Sequence, residues 1–392
     1  MLRLKLMLLI AIPLLAVQPM MARAFAVGSC KARVPSFATI SAAVVAAPAG
    51  STIWVCPGIY PEQVTIPQSL TLTGVSDSNQ DIAIITVPPA GLVSNASSIF
   101  GETVAAQVLV QGGPVNLTNI AVDGTGGDLQ CANSTWIAGI FYAPGSSGTV
   151  NHAKASGQSD AGCGVGIWAE NAEGTDTFVA VENSSVHDVD GFGIFFASGA
   201  TSPNLSVKVK GNVVSVSPSA LIGIGLVNVM GSVTGNDVSN VFFGIASVAP
   251  NVSIDSNTTT STTTGVALEG GGKASENHIS ASNIGVLFLS DSGVVRSNRI
   301  TNITGSAVEF NCASAIVSGN TINDAVIGLD NAPVGFRGDN SFNNTATVMG
   351  GTCGAAAPLK TALAASAPTM APRSSTSLRQ WRTPASPYAS MK

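Results

Sequence analysis

An asparagine recurs at nearly constant spacing through the second half of the chain. Its seven copies are Asn212, Asn236, Asn257, Asn277, Asn298, Asn320 and Asn340. The steps between them are 24, 21, 20, 21, 22 and 20 residues, and apolar or β-branched residues recur two positions after and three positions before most copies. A period of this length is typical of a solenoid, in which each unit buries its apolar face only by stacking on the next unit.

A glycine marks a second fixed point of the repeat. It precedes a short apolar segment in each unit, at Gly139, Gly166, Gly193, Gly223, Gly244, Gly265, Gly285, Gly305 and Gly328. Three short strands then fit into each unit, and alternation places the residue after the glycine in the core and the next residue outside. We expect the asparagine to occupy a left-handed turn and to hydrogen-bond to its copies along the stack.

These patterns predict an all-β chain, a single-stranded right-handed parallel β-helix with three short strands per coil. The Ala- and Val-rich run Ser36–Ala47 is expected to form a short N-terminal capping helix, which would protect the open end of the stack. The segments Phe37–Ile40, Gly58–Ile66 and Leu70–Gly74 are similar to the first coil of many pectin-lyase-like proteins, pectin methylesterases among them.

Residues 34–350 as a whole resemble that pectin-lyase-like superfamily. The resemblance implies the β-helix fold but no single activity, since the superfamily includes lyases, hydrolases, esterases, epimerases and non-catalytic adhesins. The motifs that carry catalysis in its methylesterases, polygalacturonase-type hydrolases and pectate lyases are absent or incomplete in this sequence.

The two ends of the chain differ from the repeat-bearing body. An apolar run from Leu6 to Val17 followed by Ala22-Arg23-Ala24 is typical of an export signal, which we predict over residues 1–24. The β-helix domain is expected over residues 25–353. Residues 354–392 are rich in Ala, Ser and Pro and are predicted to be a disordered tail.

Basic and acidic residues are distributed differently along the chain. Eight of the 17 basic residues lie in the predicted signal and tail, whereas all 22 acidic residues lie in the body, which therefore carries a net charge of about −13. Nucleic acid is not an expected partner, because its phosphates require cationic side chains. No stretch after the signal approaches twenty apolar residues, so no membrane span is expected.

Six cysteines follow the signal, an even number that favours disulfides in an oxidising compartment. Connectivity does not follow from sequence. Neighbour pairing, Cys30–Cys56, Cys131–Cys163 and Cys312–Cys353, is the first expectation, because each span equals about one or two repeats. Buried free thiols are the alternative.

Three consecutive outward positions are aromatic: Phe141, Trp168 and Phe195. The coils that carry them are also the longest, with glycine-to-glycine steps of 27, 27 and 30 residues against 20 to 23 later. An outward column of rings is suited to stacking on sugar faces, so we expect a substrate-binding platform here. The alternative is that the extra loop residues cover these rings as a satellite core.

Carboxylates accompany the same coils. Glu170 lies two residues after Trp168, and Asp188 and Asp190 lie in the next long loop. Glycoside hydrolysis needs two carboxyl groups that flank the bond, so these three are the catalytic candidates. The alternative is that they are ordinary solvated loop residues. No metal-ligand motif is present, no cofactor is evident, and calcium has no support beyond its role with acidic glycans.

Two functions fit the sequence. The first is a secreted or periplasmic protein that binds or processes a polysaccharide or cell-surface glycan, either as a polysaccharide lyase or glycoside hydrolase or without catalysis. The alternative is a non-catalytic surface or structural β-helix of the adhesin type. A monomer is expected in either case.

Overall fold

The computed structural model describes residues 23–353, except 77–81, 128–134, 160–161, 173, 290–291 and 337. The predicted export signal up to residue 22 and the predicted tail at 354–392 lie outside the described residues.

The N-terminal part of the chain contains the only helix of the described residues. Its elements in chain order are β1 (Ala24–Val27), β2 (Ser36–Phe37), α1 (Ile40–Ala46), β3 (Ser51–Val55), β4 (Gly58–Pro61), β5 (Val64–Ile66), β6 (Leu70–Gly74), β7 (Ala83–Thr86), β8 (Ala96–Ser97), β9 (Thr103–Val110), β10 (Pro114–Thr118) and β11 (Ile120–Asp123).

The middle of the chain repeats a three-strand unit. Its strands are β12 (Thr135–Tyr142), β13 (Ser147–Asn151), β14 (Lys154–Ser156), β15 (Gly164–Asn171), β16 (Thr177–Glu182), β17 (Ser185–His187), β18 (Phe192–Ser198), β19 (Leu205–Lys210), β20 (Val213–Ser215), β21 (Ile222–Val227) and β22 (Met230–Thr234).

In the C-terminal part the second and third strands of several units join into one longer strand. These elements are β23 (Asp237–Val248), β24 (Asn251–Asp255), β25 (Thr258–Glu269), β26 (Lys273–Ser275), β27 (His278–Ser282), β28 (Ile284–Phe288), β29 (Ser292–Arg296), β30 (Arg299–Glu309), β31 (Ser314–Ser318), β32 (Thr321–Asp330), β33 (Ser341–Asn343) and β34 (Thr347–Met349).

Apart from β8, which pairs antiparallel with β9, the strands pair in parallel with their copies in adjacent coils. The column β13, β16 and β19 forms one face, β14, β17 and β20 a second, and β15, β18 and β21 a third. We call this third column the Gly-led face; it includes β12, β28 and the C-terminal halves of β23, β25, β30 and β32. The prediction of a right-handed parallel β-helix with three strands per coil is confirmed.

The predicted asparagine ladder is present. Each ladder side chain accepts from the main-chain N–H and the side-chain amide of the copy before it, as Asn298 Oδ1 does from Asn277 at 2.9 Å in both bonds. Asn277 Nδ2 also donates to the carbonyl of Ile254 at 2.9 Å. Because Asn277 is only 1% exposed, these bonds replace the water that its amide has lost.

The turn beside the ladder corrects one expectation. The left-handed residue is the one before each asparagine, not the asparagine itself: Gly211, Gly235, Ser256, Glu276, Ser297 and Gly319 have φ between 56° and 67°. The asparagine side chain therefore has a hydrogen-bonding role and does not relieve backbone strain. A second left-handed position recurs four residues after the ladder, at Asn240, Ser261, Ala281, Asn302, Asp324 and Asn344.

The glycines of the Gly-led face lie in close contact with neighbouring strands, with no space for a side chain. A Cβ at Gly166 would lie 2.4 Å from Val186 Cγ1 and 2.7 Å from the carbonyl oxygen of Gly193. The predicted alternation after the glycine is confirmed, since Ile167 belongs to the inner core and Trp168 to a separate outer cluster.

One glycine was assigned to the wrong position. Val286 pairs with Val308, so Ala307, not Gly305, stands beside Gly285 in the next coil. The pairing of β30 shifts register between Ile303 and Ser306, which absorbs the extra residues of that unit. The outward residue of this coil is therefore Glu309 rather than Ala307.

The predicted capping helix is α1. Thr39 caps its N-terminus by accepting from the amide of Ala42 at 3.2 Å, and the helix buries Ile40, Ala43 and Val44 against the first coil. Glu62, from the segment that resembles pectin-lyase-like proteins, accepts from the amide of Ile40 at 2.8 Å and that of Ser41 at 2.9 Å. This carboxylate ties the cap to the first coil.

Two of the expected disulfides are present, Cys30–Cys56 and Cys312–Cys353, each with 5.6 Å between Cα atoms. Cys163 is also disulfide-bonded, and Cys131, its expected partner, lies outside the described residues. The disulfides brace the two ends of the described stack and indicate an oxidising compartment, outside the cytoplasm.

We predict that Asn277→Ala destabilises the protein by about 3 kcal/mol, because it removes the acceptor of the buried main-chain N–H of Asn257 together with one bond to the Asn257 side chain and one to the carbonyl of Ile254. Urea unfolding followed by circular dichroism measures the change. The control is Asn251→Ala, at an exposed position, which should stay within about 0.5 kcal/mol of wild type. Equal effects of the two variants would contradict a stabilising ladder.

Candidate functional site

The predicted aromatic platform points outward but is not accessible. Phe141 and Trp168 are 0% exposed and Phe195 is 1% exposed. The Trp168 ring centroid lies 4.8 Å from that of Phe141 and 6.2 Å from that of Phe195, so the column itself is continuous. The rings are therefore not an open sugar platform in the described structure, because alternation fixes the side of the strand and not what lies above it. In the described structure these rings are a satellite core.

Other apolar residues of the long coils form the roof over this column. Trp136 stacks on Phe192 with ring centroids 5.6 Å apart, and Phe192 lies 4.9 Å from Phe195. Ile99 and Phe100, from the segment between β8 and β9, pack on the same cluster. We call residues 92–102 the strap.

The strap is anchored at its beginning. Asn95 exchanges two 2.9 Å hydrogen bonds with the main chain of Ala106, and Gln63 exchanges two with the main chain of Val93 at 2.9 and 3.0 Å. From this anchor the chain crosses the Gly-led face, and its amide at Ile99 reaches Glu170.

Glu170 lies beneath the strap and is 1% exposed. Its Oε2 accepts from the main-chain N–H of Ile99 at 2.8 Å. Burial raises the pKa of Glu170 to about 8, against smaller opposing effects of the Ile99 amide and of the Trp168 indole N–H. The indole group lies beside the carboxyl without the geometry of a regular hydrogen bond. A protonated carboxyl is chemically able to act as a general acid, but no substrate reaches it while the strap is closed.

The surroundings of Asp190 and Asp188 indicate structural roles, in a loop and in a turn respectively. Asp190 accepts from the amides of Gly162 at 2.8 Å and Gly164 at 3.0 Å, so it shapes the loop before β15. Asp188 occupies the second left-handed turn position, with φ of 54°, and its 80% exposed side chain lies 2.7 Å from His187 Nδ1.

The three predicted catalytic carboxylates are not brought together. Glu170 pairs with Ala197 near the end of β18, whereas Asp188 and Asp190 precede Phe192 at its beginning. Five residues of strand separate those ends by about 16 Å, well beyond the ~5–9.5 Å between the carboxyl groups of glycoside hydrolases. This separation of the strand ends disfavours a direct pairing of Glu170 with Asp188 or Asp190, and that pairing stays a prediction.

A different carboxylate pair lies on the Gly-led face of the C-terminal coils. Glu309 and Asp330 are register partners on adjacent strands β30 and β32, so their Cα atoms lie about 4.8 Å apart along the stack. Both occupy the outward position that is aromatic in the long coils. Spacing along the chain could have revealed this pair, because Glu309 and Asp330 stand 11 and 10 residues after ladder asparagines. The prediction that Gly305 opens the strand of its coil placed Ala307 at the outward position instead.

The two carboxyl groups have different partners. Glu309 is 7% exposed and accepts from Asn331 Nδ2 at 2.7 Å. Asp330 is half-buried and accepts from the amides of Asn331 at 3.0 Å and Gly351 at 2.7 Å and from the Ser306 hydroxyl at 3.3 Å. Burial raises the pKa of Glu309, and the negative charge of Asp330 raises it further, against hydrogen bonds that lower it.

A third carboxylate shares this face. Glu269, at the end of β25, is partly exposed, and burial raises its pKa as well. Its coil lies two coils before that of Glu309, about 10 Å along the stack. Three acidic side chains thus lie on one face within four successive coils.

The described residues contain neither a clustered metal site nor a membrane-spanning helix. In residues 23–353, apart from the gaps given above, no group of three or more His, Cys, Asp or Glu side chains is arranged to hold a metal ion. Within the same described residues, no helix has the length and apolar character needed to cross a bilayer.

Comparison with known proteins identifies the fold. No protein-family model and no curated protein matches the sequence. Among solved structures, the lacto-N-biosidase of family GH136 from Eubacterium ramulus is similar with a TM-score of 0.55 and 10% identity, over 84% of this chain and 67% of that one. The fold is that of the pectin-lyase-like β-helices.

A second pectin-lyase-like structure is similar over nearly its whole length. The A-module of the mannuronan C-5 epimerase AlgE6 from Azotobacter vinelandii matches with a TM-score of 0.50 and 15% identity, over 80% of this chain and 93% of the module. At these identities the likeness establishes the architecture, and the chemistry has to be argued from the side chains of this chain.

We predict that Glu170 makes stability fall as pH rises. With a pKa of about 8 in the folded protein and 4.5 as its ordinary value, Glu170 is protonated when folded and ionised when unfolded between those limits. The free energy of unfolding then declines by up to about 1.4 kcal/mol per pH unit across that window.

Glu170→Gln keeps the shape and the acceptor for Ile99 but cannot ionise. Urea midpoints measured from about pH 5 to about pH 8 should therefore fall less in this variant than in wild type. Parallel pH profiles would show that Glu170 is not sealed beneath the strap.

Proposed function

We propose that this protein is a polysaccharide-acting β-helix whose carbohydrate site is the Gly-led face of its C-terminal coils, with Glu309 and Asp330 as the reacting carboxyl groups. The observation that carries the proposal is their pairing on adjacent coils, with the pKa of one of them raised by burial and by its neighbour. Two carboxyl groups in unlike environments are the requirement for acid–base chemistry at a glycosidic bond.

The environments assign the roles. Glu309, whose carboxyl holds its proton to higher pH, is the general acid that protonates the leaving oxygen of the glycosidic bond. Asp330 is fixed by the three hydrogen bonds that it accepts, and it acts on the opposite side of the sugar as nucleophile or base. The strands that carry the two residues are about 4.8 Å apart, so both carboxyl groups can approach one glycosidic bond.

Hydrolysis fits this face better than β-elimination. A lyase requires a base that removes the proton beside the uronate, and commonly uses Lys or Arg, but the nearby Arg296 and Arg299 lie on the other two faces of the helix. The net charge of about −13 on the body also disfavours uronate polymers without a bridging metal. A neutral polysaccharide is therefore the proposed substrate class.

The alternative function is a non-catalytic structural β-helix. It is favoured by one observation: Asp330 accepts from the amide of Gly351, so its carboxylate also fastens the last turn of the described chain beside the Cys312–Cys353 disulfide. In that case the carboxylate pair would serve stability alone.

We predict that Glu309→Gln and Asp330→Asn each lower the turnover number by at least about 100-fold, because each removes one partner of an acid–base pair. Release of reducing ends from a panel of neutral polysaccharides measures the effect. Asp237→Asn, at an exposed acid on the second face, is the matched control and should retain wild-type activity.

Two results would contradict the proposal. One is wild-type protein that releases no reducing ends from any neutral polysaccharide in the panel, which would favour the structural alternative. The other is turnover that survives in both Glu309→Gln and Asp330→Asn, which would place the reaction elsewhere.

A further inference from the structure

The outer aromatic layer contains two polar atoms that the described protein leaves unsatisfied. Trp168 Nε1 and Glu170 Oε1 are fully enclosed and have no hydrogen-bond partner of regular geometry among the described residues. A buried donor or acceptor without a partner costs about 1–3 kcal/mol, so such pairs are uncommon in a core that serves only stability. Trp168 is the middle ring of the column of Phe141, Trp168 and Phe195, and Glu170 lies two residues after it on β15.

The segment above them is held more firmly at its base than at its tip. The base carries the four hydrogen bonds of Asn95 and Gln63. At the tip, Ser98–Gly101, the one polar contact to the Gly-led face among the described residues is the bond from Ile99 N–H to Glu170. Gly101 has φ of 82° and nothing within 4 Å of the position of a Cβ, so the tip ends at a residue with conformational freedom and space.

We propose that the strap tip opens to admit a sugar ring onto Trp168, and that the buried column of Phe141, Trp168 and Phe195 is a covered carbohydrate subsite. The proposal goes beyond the carboxylate pair, because this subsite lies on the long coils and makes no use of Glu309 or Asp330.

The side chains of the ring column and Glu170 indicate which class of ligand the subsite would bind. Flat rings offer apolar area to the face of a pyranose, and an indole N–H and a carboxyl group beside it match the donor and acceptor sites of sugar hydroxyls. A bound sugar would satisfy Trp168 Nε1 and Glu170 Oε1, which the closed strap does not. A purely apolar ligand would leave both atoms unsatisfied.

Opening should be favoured at high pH. Burial raises the pKa of Glu170, and an ionised carboxylate gains hydration when the tip lifts. The only other titratable side chains of the strap, β12, β15 and β18 are Glu102, in the strap itself, and Tyr142, which faces the inner core and donates to the carbonyl of Val115. Neither supplies a cation that would hold Glu170 ionised in place.

The structure offers a site for a reversible lock. An ideal Cβ at Gly199 would lie 3.7 Å from Ile99 Cβ, within the ~3.5–4.5 Å range of disulfide Cβ atoms. The Ile99→Cys, Gly199→Cys double variant should therefore bind the strap tip to the end of β18. The matched control is the Ile99→Ser, Gly199→Ser double variant, which has side chains of similar size that cannot cross-link and needs no reductant.

Binding is measured by calorimetry with three probes, cellohexaose, maltohexaose and hexamannuronate, at about pH 6 and about pH 9. We expect wild type and the serine control to bind at least one neutral probe, more tightly at the higher pH, and the locked variant to bind it at least about tenfold more weakly. Hydrogen exchange at the Ile99 amide, slowed in the locked variant and in Glu170→Gln at the higher pH, reports tip opening independently of any sugar.

The controls separate this subsite from the carboxylate pair. Equal affinity in the locked variant and the serine control overturns the covered subsite, and a parallel loss in Glu309→Gln would then assign the sugar to the pair. Absence of binding by wild type and serine control to all three probes overturns the carbohydrate assignment of the column. Trp168→Phe keeps an aromatic ring in the column but removes the indole N–H together with the fused second ring, so unchanged affinity in this variant also contradicts the proposal.

Discussion

The asparagine ladder is the constraint on which the rest of the molecule depends. Each amide from Asn212 to Asn320 is sealed in the core and bonds to the coils before and after it, so the ladder fixes the register of the stack. A residue at a given number of positions from the ladder asparagine then occupies the same place in each coil. In most coils the residue before it and the residue four after it are left-handed, and Asp188 stands four residues after Ser184, whose main-chain N–H donates to Asn212.

Outside this regular tube the two halves of the protein differ. The long coils place Trp136, Phe141, Trp168, Phe192 and Phe195 in a second apolar layer above the Gly-led face. Each such side chain contributes on the order of 1.5–3 kcal/mol when fully buried, which is a sufficient reason for the roof to stay closed in the absence of a ligand. Among the described residues this aromatic layer does not extend to the last coils, whose outward positions are Glu309 and Asp330.

The extent of burial, rather than residue type, makes the carboxyl groups chemically different from one another. Glu170 is sealed, and its pKa rises to about 8. Glu309 is mostly buried beside another carboxylate, and its pKa is raised by both influences. Asp188 is exposed and lies beside His187 at a turn. Among the described carboxyl groups with a raised pKa, Glu309 alone has a second carboxylate, Asp330, as one of the causes, and for that reason the proposed chemistry is placed there.

The sequence by itself determined the architecture, because a period of 20 to 24 residues with three short strands can bury its apolar side chains only by stacking. It also predicted the capping helix, the amide ladder, two of the disulfides that the structure describes and the direction of the aromatic column. All of these follow from local patterns or from spacing along the chain.

Tertiary structure alone decided what covers each side chain and which carboxylates meet. Whether Trp168 is open or roofed depends on the strap, which begins about seventy residues earlier in the chain. Whether Glu309 faces Asp330 depends on a register shift between Ile303 and Ser306 that no spacing rule revealed. Both outcomes rest on contacts between segments distant in sequence, and a strand pattern specifies the side on which a residue lies but not its neighbours there.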